Sequence, residues 1–224
     1  GDQMNIWAVL SPESRAEIEI MSGAENMFIG YRDIKPVMGA HYDDVVGLTR
    51  LCMAQEISRW SAMQMARSIP RPPALPARGG ARPARGDSAA ARPETLTGRE
   101  LVSAQLAATP VDLVAKTRLE NPKFAPFLEI NPEDRRVVIR NGRMESGVLD
   151  KKVCGQGARS GLFHTISNRH GPAAALSQVF ALMQLSIGFL SSTGFTMSLG
   201  DLYVPKGAQT RLREIANGVR AEID

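Results

Sequence analysis

Residues Gly171–Gly200 contain no Asp, Glu, Lys or Arg. A run that long must either cross a bilayer or be covered by protein, because a helix this poor in charge cannot leave all its sides in water. The polar residues inside the run separate the two cases. Ser177, Gln178, Gln184, Ser186 and Ser191 interrupt it, and hydrocarbon offers such groups no partners. At helical spacing, Leu176, Phe180, Met183, Ile187 and Leu190 form one stripe. Gln178, Ala181, Gln184, Gly188 and Ser191 or Ser192 form a softer opposite face. The expectation is a buried helix of a soluble protein with neighbours on most sides, some of them supplied by other protein. A membrane anchor over 171–193 is the alternative.

Composition permits such burial. The chain has 224 residues and is 43% hydrophobic, enough for a real core, while 20 Gly and 14 Pro point to irregular connections. Cys52 and Cys154 lie far apart, which argues against a disulfide scaffold and for a reducing compartment. With three histidines, they offer no zinc-like spacing. The net charge of +4 is compatible with a polyanion partner without requiring one. No secretory leader pattern is visible, so the protein is expected to stay inside the cell.

Local signals place the remaining elements. Residues 1–10 read as extended. Ser11-Pro12 opens a helix over 11–21, with Ser14 and Glu17 as a second capping pair. Asp43 or Asp44 is expected to cap a helix through Val46, Leu48 and Leu51, and residues 53–69 read as one further helix. Residues 70–94 are dense in Pro, Ala, Gly and Arg and nearly free of large apolar side chains. They cannot bury enough surface to offset ordering entropy, so a flexible surface insertion is expected. Thr97 and Glu100 form a capping box before an apolar helix. Asn141-Gly142 joins strands over 136–140 and 143–149, because Asn-Gly suits the type I′ turn of a twisted hairpin. A short helix over 162–168 and a final one with Leu212, Ile215, Val219 and Ile223 on one side complete the chain. Regular βαβ alternation is missing, so the fold class is α+β, mixed helices and short antiparallel strands.

Candidate sites are sparse at this level. The glycine-spaced loop Gly155–Gly161 can cradle a phosphate with backbone N–H groups, yet tight turns explain Gly155 and Gly161 better. Lys151-Lys152 can meet phosphate or simply be solvated. His164, His170 and Cys154 have no partner in the sequence that makes them catalytic, and Asp43-Asp44 reads as capping rather than metal binding.

Six stretches, in chain order, resemble the largest subunit of multisubunit DNA-directed RNA polymerase, in its eukaryotic, archaeal or viral form. "GDQMN" resembles the end of the family's catalytic loop, Asn-Ala-Asp-Phe-Asp-Gly-Asp-(Glu/Gln)-Met-Asn. "SPESRAEI", "KPVMGAHYDDVVGLTRL", "LTGRELVSAQL", "VVIRNGRMESGVLDKKVCGQGARSGLFHTISNRHGP" and "GFTMSLGDLYVP" resemble later segments. His41 and Tyr42 depart from the family pattern, and the insertion has no counterpart in it. The divergence suggests a viral or otherwise divergent member. The resemblance implies the end of the active-site domain over 1–20, the pore domain over 21–193 and the start of the funnel over 194–224. It implies a catalytic and metal-binding role for Asp2, as one of three aspartates that hold Mg2+. It also implies that Lys151 and Lys152 line the channel for nucleoside triphosphates and extruded RNA.

Implied partners are the second-largest and other polymerase subunits, template DNA, nascent RNA and a transcript-cleavage factor at the funnel. The implied location is the host nucleus or cytoplasm, or a virion. A stand-alone nucleic-acid-binding module using the Arg-rich insertion is the competing reading. Since Mg2+ takes several oxygen ligands, the isolated chain is expected to be inactive. It should bind Mg2+ no more tightly than an exposed Asp does. Calorimetric titration checks this, and saturable tight binding would overturn it.

Overall fold

A computed structural model describes residues 3–75, 95–120, 131–204 and 206–223. Asp2 and most of the 70–94 insertion lie outside the described residues. Two compact units divide the chain, Gly1–Ser192 and Thr193–Asp224.

In the first unit, residues 3–10 have no regular structure, and Met4, Ile6, Trp7 and Leu10 are exposed. Helix α1 (Pro12–Met21) starts at Ser11, whose hydroxyl accepts from Ser14 N–H at 3.1 Å. Ser14 is therefore inside the helix, and Ser11 does the capping. Strands β1 (Ile29–Gly30) and β2 (Lys35–Pro36) pair antiparallel. Helix α2 (Asp43–Met53) corrects one expectation. Its N-cap is Tyr42, with no side-chain cap, and both aspartates sit in the first turn. There their charges still suit the positive end of the helix.

The helix expected over 53–69 is also corrected. The chain extends after Met53 and forms β3 (Ile57–Ser58), and α3 (Arg59–Ala66) starts afterwards. The reason is local, since Ser58 accepts from Ser61 N–H at 3.1 Å and acts as an N-cap that interrupts the pattern. Strand β4 (Thr95–Leu96) pairs with β3. Helix α4 (Gly98–Leu106) begins in the expected capping box, with Glu100 accepting from Thr97 N–H at 2.7 Å.

A three-stranded antiparallel sheet follows, in the order β5 (Leu113–Lys116), β6 (Arg136–Arg140), β7 (Arg143–Ser146). The hairpin turn lies where expected, with positive φ at both Asn141 and Gly142. Strand β7 stops at Ser146 rather than Leu149. Gly147 turns the chain at φ 90°, and any Cβ there would lie 2.5 Å from Val137 Cα. Then come α5 (Lys151–Cys154), α6 (Leu162–His170) and α7 (Pro172–Thr193).

Helix α7 is long and apolar enough to cross a membrane by length and composition, yet two of its buried polar residues bond to neighbouring helices. The Ser186 hydroxyl donates to Asp44 carbonyl at 3.0 Å, and Gln178 Nε2 donates to Gln105 carbonyl at 3.2 Å. The buried residues are Ala175, Gln178, Val179, Ala181, Leu182, Leu185, Ser186 and Phe189. Gln178, Ala181 and Ser186 face inward together with Val179, Leu182, Leu185 and Phe189, while Phe180 and Ile187 of the large-residue stripe remain 45% and 48% exposed. Small residues explain the choice. A Cβ on Gly47 of α2 would collide with the Ser186 hydroxyl, and one on Gly188 would lie 3.0 Å from Met65 of α3. Close backbone approach therefore sets which face is buried.

The second unit contains α8 (Lys206–Ile223), in which Leu212, Ile215, Val219 and Ile223 form the expected stripe and stay exposed.

Gly98 tests the packing of α4. A Cβ there would overlap the Leu51 carbonyl at the end of α2. Helix propensity alone would make Gly98→Ala stabilising by up to about 1 kcal/mol. The overlap should reverse that sign and cost about 2 kcal/mol. Urea unfolding of the chain measures it, and a midpoint that does not fall would refute the contact.

Candidate functional site

The cationic pair Lys151-Lys152 opens α5, and its geometry comes from the residue before it. Asp150 is only 6% exposed. Its Oδ1 accepts from the N–H groups of Lys152 at 3.0 Å and Val153 at 3.1 Å, so it is the N-cap of α5. Its Oδ2 accepts from Arg118 N–H at 2.5 Å, which ties the turn to the chain following β5. Below the turn, Val153 and Cys154 are fully buried, and the Cys154 thiol donates to Asp150 carbonyl at 3.2 Å. Both lysines are exposed, and neither forms an ion pair with a described residue.

The glycine loop is held by backbone contacts. Ala40 N–H donates to Cys154 carbonyl at 2.9 Å, and Gly157 N–H to Pro36 carbonyl at 3.0 Å. A Cβ on Gly39 would sit 2.7 Å from Gly155 C, and one on Gly155 would overlap Lys151 carbonyl. A Cβ on Gly161 would overlap Val153 carbonyl. The N–H groups of Gly155, Ala158 and Gly161 donate to Lys151, Gly155 and Ala158 carbonyls, and Ser160 N–H donates to His164 Nδ1. These donors are spent within the protein, so they are not aimed at an anion. The loop's glycines allow close approach of backbone segments, and the charge of this surface comes from side chains.

The other candidates separate. His170 Nε2 lies 2.9 Å from Pro110 carbonyl. Both cysteines are buried. Burial pushes the Cys52 thiol up to about 12 and the Cys154 thiol well above its ordinary range, which leaves both unreactive. Among the described residues, no group of three or more His, Cys, Asp or Glu is placed to hold a metal ion. Sequence reasoning missed Asp150 and Arg118. An Asp directly before a short helix is a legible N-cap signal. Arg118 carries no such signal, because only the fold brings it to Asp150.

Residues 27–202 match the family described as RNA polymerase Rpb1, domain 3. A DNA-directed RNA polymerase RPB1 homolog of African swine fever virus (isolate Tick/South Africa/Pretoriuskop Pr4/1996) is 33% identical over 99% of this chain and 15% of its own length. The DNA-directed RNA polymerase III subunits RPC1 of Debaryomyces hansenii and Saccharomyces cerevisiae are each 26% identical over 90% of this chain and 14% of their own length. The chain thus spans 15% or less of the length of these three relatives.

The buried thiols set a pH dependence. Unfolded cysteines ionise near 9.0, whereas Cys52 in the folded chain stays protonated to about 12. The unfolded state binds fewer protons in that window. Stability associated with Cys52 is therefore complete below pH 9.0 and is lost as pH rises toward 12, with a slope of at most about 1.4 kcal/mol per pH unit. Urea unfolding between pH 8 and 10 should show a decline that Cys52→Ala reduces. A pH-independent midpoint, or rapid thiol labelling of the folded chain at pH 8, would contradict this burial.

Proposed function

Because this chain belongs to the RNA polymerase Rpb1 domain 3 family, we propose that it works as a segment of the largest subunit of a multisubunit DNA-directed RNA polymerase. The observation that carries the reading is the viral likeness, which runs through 99% of the chain. Residues 21–193 would then form pore wall, with 1–20 completing the active-site domain and 194–224 opening the funnel. Lys151 and Lys152 would face the passage used by nucleoside triphosphates and extruded RNA. Their exposure, their lack of an ion pair among the described residues and the buried Asp150 cap beneath them all support that role.

Asp2 would supply one carboxylate to the catalytic Mg2+. One carboxylate does not fit an ion that takes six oxygens, and the described residues add no metal cluster. The remaining ligands would come from outside this chain. The enzyme is thus the assembled polymerase, a nucleotidyltransferase working inside the cell, with the second-largest and other subunits, DNA, RNA and a cleavage factor as partners. Exposed apolar residues at Met4, Ile6, Trp7, Phe180 and Ile187, and along α8, are the kind of surface that such an assembly covers. The bonded Gln178 and Ser186 argue against a membrane anchor. A nucleic-acid module using only the insertion leaves the rest of the likeness unaccounted for.

The double variant Lys151→Ala/Lys152→Ala in the assembled polymerase tests the channel role. Two lost cations should raise the apparent KM for nucleoside triphosphates, or weaken retention of backtracked RNA, by about three- to tenfold at low salt. The effect should shrink as salt rises. Unchanged elongation, backtracking and response to cleavage factor would overturn the placement.

A further inference from the structure

The buried Asp150 carboxylate joins two chain segments that are distant in sequence. One oxygen caps the turn carrying Lys151 and Lys152, and the other holds Arg118 N–H. Three basic residues are therefore attached, through their own or adjacent backbone, to one carboxylate. We infer that Arg118 is a third cation of the phosphate-binding surface and that Asp150 is the positioning residue that brings it there. The inference rests on the polymerase reading above and adds to it a binding residue and the reason it is in place.

Pairing among the neighbouring charges supports the assignment. Lys116 and Arg136 both engage Glu120, at 3.4 and 3.3 Å. Burial alone would raise the Glu120 carboxyl, but hydrogen bonds and charge from those two cations bring it below its ordinary value. Arg99 pairs with Asp134, Arg140 with Glu145 and Arg169 with Asp112. Arg118 is exposed and, like Lys151 and Lys152, forms no ion pair with a described residue. Its backbone is also anchored on the other side. Buried Thr117 donates through N–H and hydroxyl to Arg135 carbonyl, at 3.0 and 2.7 Å. A guanidinium on a fixed backbone, tethered to the same carboxylate as the two-lysine turn, suits a ligand with several adjacent phosphates. Guanidinium adds bidentate contacts to what the lysines supply as point charges.

Asp150 allows a selective test. Asp150→Asn keeps an oxygen for the α5 N–H groups and sets an NH2 against Arg118 N–H, so the cap survives while the Arg118 tether is lost. The reverse amide orientation would sacrifice two bonds instead of one. In assembled polymerase, Arg118→Ala should raise the inhibition constant of inorganic tripolyphosphate against nucleotide addition, or weaken retention of backtracked RNA, by about three- to tenfold. The limiting rate should stay unchanged. Asp150→Asn should show part of the same loss and add nothing to Arg118→Ala, and Arg118→Lys should restore the part that comes from charge alone. A loss confined to tripolyphosphate assigns the surface to incoming triphosphate. A loss confined to backtracked RNA assigns it to the extruded strand. If Lys151→Ala/Lys152→Ala weakens either ligand and Arg118→Ala weakens neither, the third cation is refuted and the channel reading stands. If no variant has an effect, the channel reading itself fails.

Discussion

The first unit depends on the near-backbone contact between α7 and the helices around it. Gly47 admits Ser186 to α2, and Gly188 admits Met65 of α3. At such separations a single added methyl has no room, and dispersion contacts are gained along both helices. The same closeness lets Ser186 and Gln178 reach carbonyls on α2 and α4. Their burial therefore leaves few unmet hydrogen bonds, and polar residues in an otherwise apolar helix become specific anchors. Gln105 Oε1 is an exception, buried without a partner.

From that core the structure reaches its charged surface through short, stiff connections. The α4–β7 packing is closed by Ser103, whose hydroxyl accepts from Met144 N–H at 2.9 Å. The sheet then delivers Val148, Leu149 and Asp150 as buried residues directly before two exposed lysines. Burial of Asp150 is tolerated because its carboxylate accepts three backbone N–H bonds. A buried charge without such donors would be costly. A fixed backbone beneath exposed cations would suit the channel role proposed above, because less chain remains to be ordered at the moment of contact.

Helix α7 shows what spacing leaves open. Helical spacing locates a stripe of large apolar residues and a softer opposite face without saying which is buried. Here the neighbours carry glycines and small side chains, so the face with Ala181 and Ser186 packs inward and Phe180 is left outside. The break between α2 and α3 is a second case. Apolar spacing over 53–69 continues helically, but Ser58 makes a better N-cap than a helix-interior residue. By contrast, Thr97 with Glu100 and Asn141 with Gly142 encode their structures in adjacent residues, and both are as expected.

The amino-acid sequence by itself determined the local punctuation, the α+β class, the uncharged helix and, through six ordered stretches, the polymerase likeness. It did so because caps, tight turns and motifs depend on residues only a few positions apart. The tertiary structure decided which face of α7 is buried, why Gly155 and Gly161 must lack side chains, and that the Arg118 N–H shares the Asp150 carboxylate with the turn carrying Lys151 and Lys152. Those depend on contacts between segments far apart in the chain. Neither periodicity nor spacing records which backbone an Asp150 oxygen will find across the fold.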